Sequence, residues 1–263
     1  MKKYWFIFKT QVMTNIQYIG NIIFSFIGNF ILLFILFNLW NYLYSDPNEV
    51  INGYTKAQMI WYVIVTEYLW MVIGGRRLTR KISEEVKSGG ITYKLNKPYD
   101  YVKYCLFDHL GDVFVKAIIF LILFMGMGFI FVGHFPDLNI MSILIVALTC
   151  IIATTISALM LISLGLLAFF IEDSGPLYWI YSKFILVLGT IFPIEYFPKV
   201  LQKILKFTPV FVVSYGPAKL FVNFSYQSAL VILGAQVIYL TIAYLLCSFI
   251  YKKGVKNINV NGG

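Results

Sequence analysis

The chain has 263 residues, of which 60% are hydrophobic and only 13% charged, and its mean hydropathy is +0.79. Soluble domains carry about 25% charged residues, so a single water-soluble globule is excluded and lipid is the expected solvent for most of the chain. The net charge of +9 does not point to nucleic acid, because the basic residues sit in short tracts between apolar runs, the pattern that orients membrane spans.

In chain order, residues 1–20 are expected to form an interfacial helix. Trp5, Phe8 and Val12 recur at helical spacing while Lys2, Lys9 and Asn15 point elsewhere. Basic residues beside bulky aromatics favour a helix lying in the membrane surface; a plain extension of the first span is the alternative. No short apolar run ends in a small-residue cleavage site, so a signal peptide is not expected.

A span needs roughly 20 apolar residues. Candidates run from about Ile22 to Tyr42, Met59 to Gly75, Leu110 to Val132, Ile140 to Ile171, Leu177 to Phe192, and Ala229 to Tyr251. The expected class is therefore all-α: a single polytopic transmembrane domain over residues 1–263 with six transmembrane helices. Gly133 to Asn139, with Pro136 and Asp137, is expected to make a tight turn, as is the Glu172–Pro176 stretch.

With six spans both termini share one side, which holds fifteen of the 21 Lys and Arg residues. Lys56, Lys199, Lys203, Lys206 and Lys219 fall on the other side, and Lys116 falls inside a span. The positive-inside rule then places both termini in the cytoplasm.

The cytoplasmic loop of residues 76–104 is the most informative stretch. Leu78, Ile82 and Val86 recur every four residues, so Thr79 to Lys87 is expected to form a short helix stopped by Ser88, Gly89 and Gly90. Ile91 and Leu95 follow, and Pro98 closes the unit. An apolar stripe on such a helix suits docking into a groove of another protein; an ordinary basic helix resting on anionic lipid is the alternative.

Glu67 falls near the middle of the second span, where an ionisable group costs roughly 3 kcal/mol to insert. It is expected to face protein or a water-filled pathway, or to pair with Lys116 or Lys183. Residues 194–226 are apolar but broken by Pro198, Pro209 and Pro217. They are expected to form short helices at, or dipping into, the outer face, which is tolerated only where protein or water covers the backbone. Val200, Leu201, Ile204 and Leu205 share one face there, opposite Lys199, Lys203 and Lys206.

Enzyme signatures are missing. There is no GxxxxGK[ST] phosphate loop and no HExxH, and His109 and His134 are far apart. Cys105, Cys150 and Cys247 lack metal-ligand spacing and suggest small core residues rather than a disulfide framework.

The order of these parts resembles the permease subunit of bacterial type-2 ATP-binding-cassette exporters. ISEEVKSGGITYKLNKP, from Ile82 to Pro98, is similar to that family's first cytoplasmic loop; EDSGPLYWIYSKF from Glu172 and FPIEYFPKVLQKILKFTPVFVVSYGPAKLF from Phe192 are similar to its later region. The basic ending YKKGVKNINVNGG is similar to the tail of one bacterial subgroup.

The resemblance implies an export permease of the bacterial cell membrane, with no ATPase and no cofactor of its own. A second permease chain, identical or different, would complete the pathway, and ATP would be used by separate ATP-binding-cassette subunits. Ile82, Glu84, Glu85, Val86, Gly89, Gly90, Ile91, Leu95 and Pro98 would form the coupling loop. The region holding Pro193, Pro198, Pro209 and Pro217 would gate the extracellular exit. The substrate would be hydrophobic or amphipathic. A secondary transporter or channel driven by an ion gradient remains the alternative, motivated by Glu67 and Lys116, although few intramembrane charges and no repeat are visible. A membrane-embedded enzyme or an accessory assembly subunit is a third reading.

Overall fold

The computed structural model describes residues 2–46, 49–171 and 173–261, without the side chains of 257–261. Helix dominates. In chain order come α1 (Lys2–Gln17), α2 (Ile19–Leu43), a hairpin of β1 (Val50–Ile51) and β2 (Tyr54–Thr55), α3 (Lys56–Ile73), α4 (Arg76–Lys87) and α5 (Gly90–Leu95). Then follow α6 (Tyr101–Val132), α7 (Ile140–Leu166), α8 (Gly175–Ile185), α9 (Lys199–Leu205), α10 (Gly216–Val222) and α11 (Tyr226–Asn261). The protein is an all-α polytopic membrane protein apart from the small hairpin.

Among the described residues, five helices are long and apolar enough to cross a bilayer: α2, α3, α6, α7 and α11. The remaining expected span is shorter. Helix α8 runs on into a π-type turn at Leu186–Ile191, giving one apolar helix over Gly175–Ile191. At about 1.5 Å per residue it reaches roughly 25 Å, somewhat less than a hydrocarbon core.

The ends of these helices follow from their sequence. Thr55 caps α3 in a reciprocal capping box with Gln58, and Asp100 and Asn139 cap α6 and α7 through backbone N–H groups of Lys103 and Ser142. Gly74 ends α3 in the left-handed region at φ +40°.

Helix α3 is the axis of the bundle. Every residue from Met59 to Glu67 is buried, as expected for a helix apolar on all sides. Its neighbours are α2, α6, α7 and the 186–222 region. Contact with α6 is close: a Cβ on Gly128 would come within 2.2 Å of the Trp61 ring. On α1, Tyr4 and Phe8 pack against Phe107 and Phe114 of α6, while Trp5, Phe6, Met13 and Ile16 are exposed. The outward apolar stripe of α1 therefore consists of these four residues; of the expected Trp5–Phe8–Val12 face, only Trp5 is fully exposed.

Both termini lie at one end of the bundle. Lys3 donates to the Pro98 carbonyl, and Tyr251 of α11 stacks on Tyr101 at the start of α6, 6.2 Å between centroids. Helices α4 and α5 sit at this terminal end over a second small core built on Ile82, Ile91, Tyr101 and Leu166. The other end carries the hairpin, α9, and the 193–198 and 209–222 segments. The basic residues divide between these ends as the sequence reading expects, with Lys56, Lys199, Lys203, Lys206 and Lys219 at the hairpin end.

Candidate functional site

Helix α4 departs from expectation in one respect. Its apolar stripe is buried within the chain: Leu78 is 5% and Ile82 0% exposed, and Val86 is half-buried against the same core. The reason lies on α7. Gly165 leaves room that a Cβ would close, at 2.8 Å from the Ile82 Cβ, and Thr79 donates to the Leu161 carbonyl at 3.1 Å. The stripe is thus a clamp onto α7, and Ile82 is unavailable for docking on another protein.

The rest of the loop folds beneath it. Gly89, at φ +71°, turns the chain so that Ile91 is fully buried and Leu95 half-buried. Glu85 faces inward, accepting from the Tyr101 hydroxyl at 2.7 Å and pairing with Lys94. Lys81 pairs with Asp108 at 2.8 Å; burial disfavours its charge, but Asp108 outweighs this and raises its pKa. The outer surface is left to Arg76, Arg77, Arg80, Glu84, Lys87, Ser88, Gly89, Gly90 and Pro98, all exposed.

Between α4 and α8 lies a cleft of about 840 Å³, open at the terminal end. Trp70, Tyr178 and Trp179 form apolar walls; Arg76, Lys87 and Lys183 supply charge. Lys87 reaches across to Asp173 at 3.2 Å, tying α4 to the start of α8. Asp173 also accepts the Gly175 N–H, and that bond followed by Lys87 holds its carboxyl below the usual range. Glu172 lies outside the described residues. Deeper in, sharing Trp70, Arg76, Tyr178 and Ser182, is a smaller pocket of about 170 Å³ floored by Val213. The hydroxyls of Ser157 and Tyr181 face each other there, and that of Ser174 beside the cleft is buried without a hydrogen-bond partner among the described residues.

Val213 belongs to a segment that covers the hairpin end of the bundle like a lid. Segment 211–222 is one buried helix whose first part, Phe211–Tyr215, is a π-type turn. Pro217 explains the widening: it has no N–H to give the Val213 carbonyl, and the Gly216 N–H instead reaches back to Phe211. Pro217 is buried and Pro209 half-buried at this helix, Pro193 is buried before the turn at Ile194–Tyr196, and Pro198 is exposed before α9. The apolar residues of α9 divide: Leu205 is buried and Leu201 half-buried, while Val200 and Ile204 are exposed.

Glu195 fastens this lid. Its carboxylate accepts from Tyr215 at 2.6 Å and Tyr54 at 3.0 Å and pairs with Lys219 at 3.2 Å. The Tyr44 hydroxyl donates to the Tyr54 carbonyl at 3.0 Å and lies 2.7 Å from that of Tyr196. Hairpin, α2, the 194–196 turn and α10 are thereby joined. Burial, then Tyr215 and Glu195 beside it, hold the Tyr54 phenol well above its ordinary range, so it remains a donor. Sequence reading passed over Glu195; its signal is an acid within an apolar, proline-broken stretch.

Glu67 is fully buried and pairs with neither expected lysine. Lys116 turns to Asp112, four residues earlier on its own helix, at 2.7 Å, and Lys183 lines the cleft. Glu67 instead accepts from Asn29 of α2 at 3.0 Å, with its other oxygen unpartnered among the described residues. It ties α2 to α3.

No curated protein matches this chain. The family described as ABC-2 family transporter protein does match, over residues 30–262, from α2 through the last helix. That span takes in the central α3, the α4–α5 unit, the cleft and the lid, and the chain belongs to the ABC-2 family of transporter proteins.

Proposed function

We propose that this chain is the membrane permease of an ATP-driven exporter of the bacterial plasma membrane. It forms, with a second permease chain, the pathway for a hydrophobic or amphipathic substrate. Separate ATP-binding-cassette subunits supply the energy at the terminal end, which faces the cytoplasm. The observation that carries this reading is the rigid seating of α4 on α7 through Ile82, Thr79 and Gly165. A push on the exposed face of α4 passes to α7 as a body instead of being absorbed by a loose loop, and the Lys87–Asp173 pair carries it to α8. The family supports a permease role, and the excess of Lys and Arg at the terminal end supports its cytoplasmic side.

The test is co-purification with an ATP-binding subunit and assay of the pair in liposomes. Reversing the exposed charges in Arg77→Glu/Arg80→Glu is expected to uncouple ATPase activity from transport while the melting temperature holds. Unchanged coupling in that variant, or transport by the lone chain without ATP, would sink the reading.

A further inference from the structure

We infer that the cleft between α4 and α8 is a binding site for an anionic amphiphile, its acidic head held by Arg76 and Lys183 and its apolar part between Trp70, Tyr178 and Trp179. This deepens the reading of the chain as a permease by naming a substrate class, and it rests on that reading only for what the bound molecule does next.

Four cations line the cleft, Arg76, Arg80, Lys87 and Lys183, against the described acids Glu84 and Asp173. Both acids are engaged: Glu84 by Arg80 at 2.7 Å and Asp173 by Lys87 at 3.2 Å. Arg76 and Lys183 have no ion pair among the described residues. A guanidinium and an ammonium opening on one cavity favour a phosphate, sulfate or carboxylate head, and repel a cation.

The cleft, at about 840 Å³, falls in the size range of small-molecule sites, about 300–1,000 Å³, and the inner pocket adds about 170 Å³. Two indole rings and a phenol ring flank the charged mouth. Buried polar groups normally find partners, yet the hydroxyl of Ser174, beside the mouth, has none among the described residues. Ser174 is 1% exposed and lines the same cleft as Arg76 and Lys183. A guest with acceptor oxygens at its head would give that hydroxyl a partner.

The probe is NBD-labelled lysophosphatidylglycerol, titrated onto the full chain in phosphatidylcholine nanodiscs without any ATPase. NBD-labelled lysophosphatidylcholine is the zwitterionic control. The anionic probe is expected to bind at least tenfold tighter than the control. Arg76→Gln/Lys183→Gln is expected to abolish that preference while leaving the weak binding of the control unchanged. Arg76→Lys/Lys183→Arg, which keeps the charge, is expected to restore it, so a loss through misfolding is recognised. Competition by phosphatidylglycerol placed in the nanodisc identifies a bilayer lipid as the natural source; competition only by dodecyl phosphate added to the aqueous phase identifies a solute. Equal binding of the two probes, or a preference that survives Arg76→Gln/Lys183→Gln, overturns the proposal. Because no ATPase is present, neither result bears on whether this chain couples to one.

Discussion

At the scale of single residues, the chain concentrates its polar investment in a few carboxylates. Glu195 is the most connected, and a hydrogen bond to a charged group contributes about 1.5–3 kcal/mol. Glu195→Ala is therefore expected to destabilise by roughly 1.5–3 kcal/mol, read as a lower melting temperature in nanodiscs. Glu195→Gln should lose less, since its amide oxygen still accepts from Tyr54 or Tyr215. Asp173 behaves differently because it is exposed. Its pKa lies below 3.8, the ordinary value, so the charge that holds Lys87 is fully present above that value. It is lost only as pH falls through the depressed pKa. Labelling of a Ser182→Cys variant from the cleft, taken at each pH as a ratio to a fully exposed cysteine so that the thiolate fraction cancels, should accordingly be constant from pH 7.5 to 5 and rise in Ser182→Cys/Asp173→Asn. A rise between pH 7.5 and 5 without that substitution would contradict the assignment.

At the scale of elements, α4 shows what a sequence pattern can and cannot carry. The four-residue recurrence of Leu78, Ile82 and Val86 gives the helix and its apolar face, because helical geometry alone puts them on one side. Which surface receives that face depends on Gly165, far along the chain on α7, and no local pattern reports it. Ile82→Ala should cost about 2–5 kcal/mol, the range for emptying a core site, whereas Arg77→Ala on the exposed side should fall within about 0.5 kcal/mol. Equal melting temperatures for the two variants would mean that the stripe is not a clamp. The long spans were legible for a simple reason: an apolar run of bilayer length has few other ways to satisfy its backbone. The hairpin carried a signal that went unread. Asn52 and Gly53 both adopt positive φ, at 51° and 84°, as an Asn-Gly turn between short strands favours. The Glu195 cluster was the least legible, since Tyr54 stands 141 and Tyr44 152 residues from its partner.

At the scale of the whole molecule, the two ends of the bundle differ in kind. The terminal end is open, basic and aromatic; the hairpin end is closed by a helix that enters and stops. A cleft open at the terminal end is the form expected of the proposed permease facing the side from which it loads. Sidedness can be checked directly with cysteine variants of Ser88 and Lys203, both exposed. A membrane-impermeant maleimide applied to intact cells should label the second and spare the first. Labelling of both from outside would require a different topology.

The two π-type turns meet at one place. The Gly189 carbonyl accepts from Tyr62 at 2.8 Å and Ser214 at 2.9 Å, and the Thr190 carbonyl accepts from Thr66 at 2.8 Å. Side chains from two neighbours thus stand in for helical bonds that a wide turn leaves unmade. Helix α8 is consequently a rod with a joint. Beyond the joint it is pinned to α3 and to the 211–222 segment; short of it, only Ser182 and Ile185 of α8 are buried. The half that walls the cleft is thus the less embedded part of the rod, and the hydroxyls of Tyr62, Thr66 and Ser214 fix the other part like bolts through a post.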